Sequence, residues 1–150
     1  MKNIVSFSGG KDSTAMLLMM VEHRIPIDEI VFCDTEKEFP QMYDHIQKVQ
    51  EYIGREITIL RALGKFDYLM FDHVKTRGNN KGKKGYGWPD MRIRWCTSKL
   101  KTDVFKKYSK QKYGKDYIKF VGIAYHETVR WNKNQNTGQP IAMPLVELQI

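Results

Sequence analysis

The residues best suited to chemistry are Ser8-Gly9-Gly10-Lys11-Asp12-Ser13, set between the apolar run ending at Phe7 and the apolar stretch 15–21. Two adjacent glycines let the backbone turn so that successive N–H groups converge on one point. A helix opening directly afterwards adds its unpaired first-turn amides and the positive end of its dipole, and such a junction binds anions. Ser8 and Ser13 supply hydroxyls and Lys11 a mobile positive charge, with Ser6 and Phe7 leading into the turn. Asp12 is out of place beside an anion unless a Mg²⁺ ion accompanies it or the carboxylate orients the loop. The set therefore suits a polyphosphate. It is not a Walker A loop, which would need glycine where Val5 stands.

Further along, Asp34-Thr35 closes an apolar run. Asp34 either hydrogen-bonds a ligand or metal from that strand end, or caps the helix that follows. Arg94, Lys99 and Lys101 could clamp a distal phosphate or sulfate, Arg94 with the planar fork that matches such oxygens; the alternative is a solvated basic face. Cys96, beside Arg94 and near a helix start, is either a reactive thiol or a buried structural one. Cys33 ends an apolar strand and reads as core. Glu127 could bind metal or hold Arg130, which could reach phosphate; otherwise the two form an exposed ion pair. His23, His45 and His73 share no spacing and read as surface residues.

The elements that must position these groups alternate. Residues 2–7, 29–33 and 57–60 read as strands. Residues 12–22 and a segment from about 41 to 53 read as helices, the second with Met42, Ile46, Val49 and Ile53 on one face and Gly54 as its stop. Strand–helix alternation implies right-handed crossovers and a parallel sheet covered on both faces, with ligands at the carboxyl ends of the strands. Residues 75–88 are rich in glycine and lysine without periodicity and read as a mobile loop, able to close over a ligand. Thr97 is expected to cap a helix running to about 112. Residues 117–123 are expected to form a fourth strand, 124–140 a long polar loop, and 141–146 a fifth strand.

Bulk composition fits one globular domain spanning 1–150, with 41% hydrophobic and 28% charged residues. No apolar run approaches the roughly 18 residues that span a bilayer, and no secretory leader precedes the first strand, so a cytoplasmic protein with no membrane partner is expected. Two cysteines and no C-x-x-C exclude a complete zinc or iron–sulfur site of four thiolates within the chain. The net charge of +8 is concentrated: residues 75–112 hold 13 of the 25 Lys and Arg against two acids, Asp90 and Asp103. Such a field suits an anionic partner, whether polyphosphate or nucleic acid.

The loop at 8–13 resembles the pyrophosphate-binding loop of the adenine nucleotide alpha-hydrolase superfamily, and within it the chain most resembles the phosphoadenosine phosphosulfate (PAPS) reductase family. Further matches follow in the family's order. Phe32-Cys33-Asp34-Thr35 with Glu38-Phe39-Pro40 resembles its Asp-Thr-Gly motif. Arg94-Trp95-Cys96-Thr97 with Leu100-Lys101 resembles its Arg-x-Cys-Thr-x-x-Leu-Lys segment. Gly122-Ile123 with Glu127 and Arg130 resembles its Gly-x-Arg-x-x-Glu-x-x-Arg segment, and Met143-Pro144-Leu145-Val146 the proline-leucine strand that follows. Glu36, Ala124 and His126 depart from the pattern, standing for a glycine, an arginine and an acid. The chain ends soon after Leu145, where relatives often continue into a cysteine-bearing tail.

The resemblance implies a three-layer α/β fold with a mostly parallel five-stranded sheet. It also implies an adenine nucleotide as ligand, be it ATP with Mg²⁺, adenosine phosphosulfate (APS) or PAPS. Residues 6–13, Asp34, Thr35, Lys101, Gly122, Glu127 and Arg130 would bind it, Lys11, Asp12, Arg94 and Cys96 would act in catalysis, and Asp12 would approach the Mg²⁺. Two chemistries are open: attack of an acceptor oxygen on the α-phosphate of ATP, or attack of a thiol on sulfur. The segment around Arg94 also resembles the ATP pyrophosphatase subunit of DNA phosphorothioation systems, which implies a nucleic-acid-modifying component docking DNA or RNA through 75–112. A non-catalytic nucleotide binder is the third reading. Assembly with a second copy or with a partner protein is left open.

Overall fold

The computed structural model describes residues 1–135 and 140–150. Five parallel strands form one sheet in the order β3-β2-β1-β4-β5: β1 (Lys2–Phe7), β2 (Glu29–Asp34), β3 (Thr58–Arg61), β4 (Tyr117–Val121) and β5 (Ile141–Ala142). Along β1 and β2 the side chains alternate between two cores, as the period of two requires. Val5, Phe7, Ile30 and Phe32 face α1 (Lys11–Glu22) and α2 (Pro40–Ile53), meeting Met16, Leu17, Met20, Ile46 and Val49. Ile4 and Val31 face the other way, onto Phe105 of α3 (Asp103–Tyr113). This is the expected three-layer α/β fold.

The order places the topological switch between β1 and β4. The chain winds outward through β2 and β3, then returns to the other side of β1, and in sheets of this kind the ligand crevice lies at that switch. The helices are built locally as read. Ser13, Met16, Leu17 and Met20 give α1 a buried stripe, Pro40 starts α2, and Gly54 ends it at φ 63°.

Four expected elements begin, continue or end differently in the structure. The helix expected from Thr97 opens as a π-helical segment, Cys96–Thr102, before α3 begins, and Thr97 is exposed and caps nothing. The polar stretch at 124–140 contains a helix, α4 (Thr128–Gln135), whose weak apolar pattern hid it. The fifth strand stops at Ala142, because Pro144 has no N–H for a ladder and instead starts the short helix α5 (Pro144–Glu147). The fourth strand likewise stops at Val121.

The segment expected as a mobile loop is tied down. Val74 and Lys84 form an antiparallel bridge. Gly85 N–H donates to the His73 carbonyl at 2.8 Å, Tyr86 N–H to that of Leu69 at 2.9 Å, and Trp95 Nε1 to the Gly87 carbonyl at 2.9 Å. A further π-helical turn, Tyr68–Asp72, supplies the Leu69 carbonyl and also that of Met70, which accepts from Gly87 N–H at 3.1 Å. Composition does not reveal these bonds, since they link backbone groups far apart in sequence. Among the described residues no helix is long and apolar enough to cross a membrane.

Candidate nucleotide site

The phosphate loop is braced by its own serines. Ser13 is buried, with its Oγ donating to the Gly10 carbonyl at 3.0 Å and accepting from Ser8 N–H at 3.2 Å. That leaves the Ser8 hydroxyl, 2.9 Å away, to donate to Ser13 Oγ while accepting weakly from Gly10 N–H at 3.4 Å. Ser13 therefore holds the loop's shape rather than offering a donor to a ligand. Gly9 adopts φ 75°, and a Cβ there would strike the Met42 thioether on α2, so this position requires glycine.

What the loop presents outward is the start of α1. Gly10 occupies the N-cap without any side-chain cap, so the amides of Lys11, Asp12 and Ser13 lie in a helical first turn with no intrahelical acceptor. Lys11 is exposed and Asp12 half-buried, and neither forms an ion pair among the described residues. Gly122, just past β4, closes the far wall: a Cβ there would lie 2.6 Å from both N and Cα of Ser13. The switch crevice and the phosphate loop thus coincide.

Ser6 is half-buried on β1 and Phe7 is buried in the core, so Phe7 reaches a ligand only through its backbone. Asp34 is buried with both oxygens engaged. Its Oδ1 accepts from Glu36 N–H and from the Tyr43 hydroxyl, each at 2.8 Å, and its Oδ2 from Arg61 Nε and Nη2 at 3.0 and 2.9 Å. The carboxylate organises the β2–α2 turn, a role neither of the sequence alternatives described. Burial and the Asp34 carboxylate hold the Tyr43 phenol above its ordinary pKa. Glu36 sits at φ 61°, in the left-handed region that a glycine would occupy without strain.

Thr35 donates to Glu38 Oε1 at 3.0 Å, and Lys101 Nζ meets the same oxygen at 3.2 Å. The π-helical segment is thereby joined to the β2–α2 turn, and Lys101 is neutralised there rather than standing free. Arg94 is exposed and makes no ion pair among the described residues. Cys96 packs against the cluster of Phe66, Leu69, Trp95 and Leu100. Cys33 donates weakly to the Lys101 carbonyl at 3.6 Å, and burial pushes its thiol pKa up. Glu127 and Arg130 form an ion pair with both carboxylate oxygens within 2.7 Å of Nη1, which holds the Glu127 carboxyl below its usual range.

One contact at the loop was not expected. His45 is half-buried rather than on the surface, with Nε2 3.0 Å from Thr14 Oγ1, so α2 is bolted to the first turn of α1 beside the phosphate loop. The 31-residue separation hid this pair.

A family model for the phosphoadenosine phosphosulfate reductase domain matches residues 2–130. An uncharacterized protein of Methanocaldococcus jannaschii is 30% identical over 127 residues, 83% of this chain and 23% of that protein. An uncharacterized nin region protein of Escherichia phage lambda is 30% identical over 146 residues, 87% of this chain and 50% of that one. The chain thus spans from about a quarter to a half of the length of these curated relatives. With the motifs in order on a five-stranded parallel sheet, the chain belongs to the phosphoadenosine phosphosulfate reductase domain family of the adenine nucleotide alpha-hydrolase-like superfamily.

Proposed function

We propose that this domain binds ATP with the β- and γ-phosphates on the 8–13 loop and transfers the adenylyl group to an acceptor. The observation that carries the reading is the uncapped first turn of α1 facing the switch crevice, with Lys11 beside it. An acceptor oxygen attacks the α-phosphorus, the bond to the bridging oxygen breaks, and pyrophosphate departs while the acceptor's proton passes to water. The amides of Lys11, Asp12 and Ser13 and the Lys11 ammonium favour this step by meeting charge as it builds on the leaving group. In this reading Arg94 and Arg130 steady the remaining phosphate oxygens; Arg130 is paired with Glu127.

Mg²⁺ fits the donors present. Among the described residues no three acidic, histidine or cysteine side chains group to make a protein cage, and Asp12 stands in the first turn of α1 as a single unpaired carboxylate. Mg²⁺ commonly takes one or two carboxylates and completes its shell with phosphates and water. Bound with the nucleotide, it would neutralise phosphate charge.

ATP chemistry is favoured over thiol attack on sulfur because both thiols are engaged in packing: burial pushes the Cys33 thiol pKa up and its Sγ donates weakly to the Lys101 carbonyl, and Cys96 lies against an apolar cluster. Calorimetric titration with Mg-ATP, APS and PAPS side by side tests the reading. Tighter binding of Mg-ATP is expected; a preference for PAPS by about tenfold or more would overturn it.

A further inference from the structure

Between β3 and α3 the chain makes a long excursion, 62–95, that the nucleotide chemistry does not use. Because it leaves the carboxyl end of β3, it lies on the same edge of the sheet as the phosphate loop. Its surface combines two features. Lys75, Arg77, Lys81, Lys83, Lys84 and Arg92 make no salt bridge among the described residues, and between 75 and 99 the sole acid, Asp90, spends one oxygen on the backbone amides of Arg92 and Ile93. Between these cations stand aromatic rings in a connected row: Trp88 meets Phe66, Phe66 meets Trp95, Trp95 meets Tyr86, and Tyr86 stacks on His73 at 4.9 Å. Phe66 and Trp95 are buried and form the foundation. Trp88 stands edge-on to Phe66 at 69° with 74% of its surface in solvent, which leaves a ring face open.

A cleft of about 640 Å³ lies beside this row, lined by Lys75, Arg77, Asn80, Tyr86, Ile93 and Lys99. Lys75 Nζ sits 6.0 Å from the Tyr86 ring centre. Backbone bonds at Gly85, Tyr86 and Gly87 anchor the stretch of chain that carries Tyr86.

We propose that this surface binds a single-stranded polynucleotide, its phosphates along the cations and its bases on Trp88 and in the Tyr86 cleft. A lone polyphosphate needs donors converging on one point; here the unpaired cations are spread along 75–92, with the Trp88 ring exposed and Lys75 beside Tyr86, which suits a chain carrying both phosphates and bases. A duplex would hide the base faces from Trp88. The excursion also offers no α-helix to enter a groove, since its one helical turn, Tyr68–Asp72, has five residues. The features that carry the proposal meet phosphates and base faces, which RNA and DNA share, so the two kinds of strand should bind alike. The proposal is independent of the adenylyl-transfer reading.

The test is fluorescence anisotropy with labelled oligouridylate and oligothymidylate of about 12 nucleotides, a duplex of equal length, and inorganic tripolyphosphate as competitor. The two single strands are expected to bind within about threefold of each other and more tightly than the duplex. Affinity should fall with salt, with a log–log slope of about −0.7 per phosphate contacted. Trp88→Ala, at a solvent-facing ring whose loss spares the fold, should weaken strand binding about tenfold. Lys83→Ala with Lys84→Ala should make the slope shallower by about 1.4. Lys11→Ala should leave strand binding unchanged, so this proposal and the nucleotide reading fail separately. Duplex binding as tight as single-strand binding, full competition by tripolyphosphate, or wild-type affinity in Trp88→Ala would overturn it.

Discussion

Gly122 stands against the backbone of Ser13 so closely that a single added carbon would lie 2.6 Å from two of its atoms. The end of β4 is thereby packed directly on the first turn of α1. Gly122→Ala forces backbone apart, because no flexible side chain is there to yield. Overpacking of this kind costs about 1–3 kcal/mol. Denaturant unfolding should show that loss together with weakened nucleotide binding; a variant as stable as the parent would mean that β4 is free to shift.

Lys11 is exposed and makes no ion pair among the described residues, so its removal should spare the fold. A charge-assisted hydrogen bond to phosphate contributes about 1.5–3 kcal/mol, so Lys11→Ala should bind Mg-ATP ten- to hundredfold more weakly, by roughly that energy. Calorimetry on the folded variant decides it. Unchanged affinity would remove the phosphate-loop assignment.

Glu36 occupies a left-handed backbone conformation at φ 61°, at the place where the family motif has glycine. A non-glycine residue there carries roughly 1–2 kcal/mol of strain, partly offset by the extra unfolded-chain entropy of glycine. Glu36→Gly is therefore expected to be neutral or to stabilise by up to about 1 kcal/mol. A clear drop in melting temperature would show that the Glu36 side chain does something the backbone argument omits.

At the opposite end of the sheet Glu29 accepts from Tyr108 and Tyr113 hydroxyls at 2.6 Å, Lys112 at 2.8 Å and Thr58 at 2.9 Å. Burial pushes this carboxyl up, but the bonds led by Lys112 outweigh it and hold its pKa below the ordinary 4.5. A depressed folded pKa means that the stabilisation is whole above the unfolded value and is lost as pH falls through the folded one. Lys112, raised by the same contact, contributes below its unfolded value of 10.5 and loses this as pH rises beyond it. Stability should thus decline below about pH 4.5 and again above about pH 10.5. In Glu29→Gln the acid limb should flatten; an unchanged limb would place the acid sensitivity elsewhere.

Reduction of PAPS to sulfite needs a thiolate that can reach sulfur and a second thiol to release the product. Cys96 is packed against Trp95 and Leu100 at the start of a π-helical segment, and Cys33 is half-buried with its Sγ on the Lys101 carbonyl. This polypeptide should release no sulfite from PAPS with thioredoxin and a reductant, even over hours. Sulfite formed by the parent and lost in Cys96→Ser would instead make Cys96 the nucleophile.

The glycine turn at 8–13, the first three strands and the first two helices were legible in the sequence, because each is specified by neighbours: Gly9 by its own turn, α1 by the Ser13–Met20 stripe, α2 by Pro40 and Gly54. The end of β5 was missed although Pro144 is a local stop signal; the apolar Met143–Val146 run masked it.

Only the tertiary structure decided what several polar residues do. Asp34 became an organising carboxylate because Arg61, 27 residues away on β3, and Tyr43 on α2 arrive at the same point. Lys101 was neutralised by Glu38 across 63 residues, and His45 was drawn from the surface to Thr14 by the packing of α2 on α1. The glycine- and lysine-rich stretch read as mobile, since its order comes from amides bonding to carbonyls of a turn more than ten residues earlier. Spacing along a chain encodes helix, strand and turn, whose contacts are short-range. A side chain's charge partner or acceptor is chosen by whichever elements the sheet order brings alongside, and that order is a property of the whole fold.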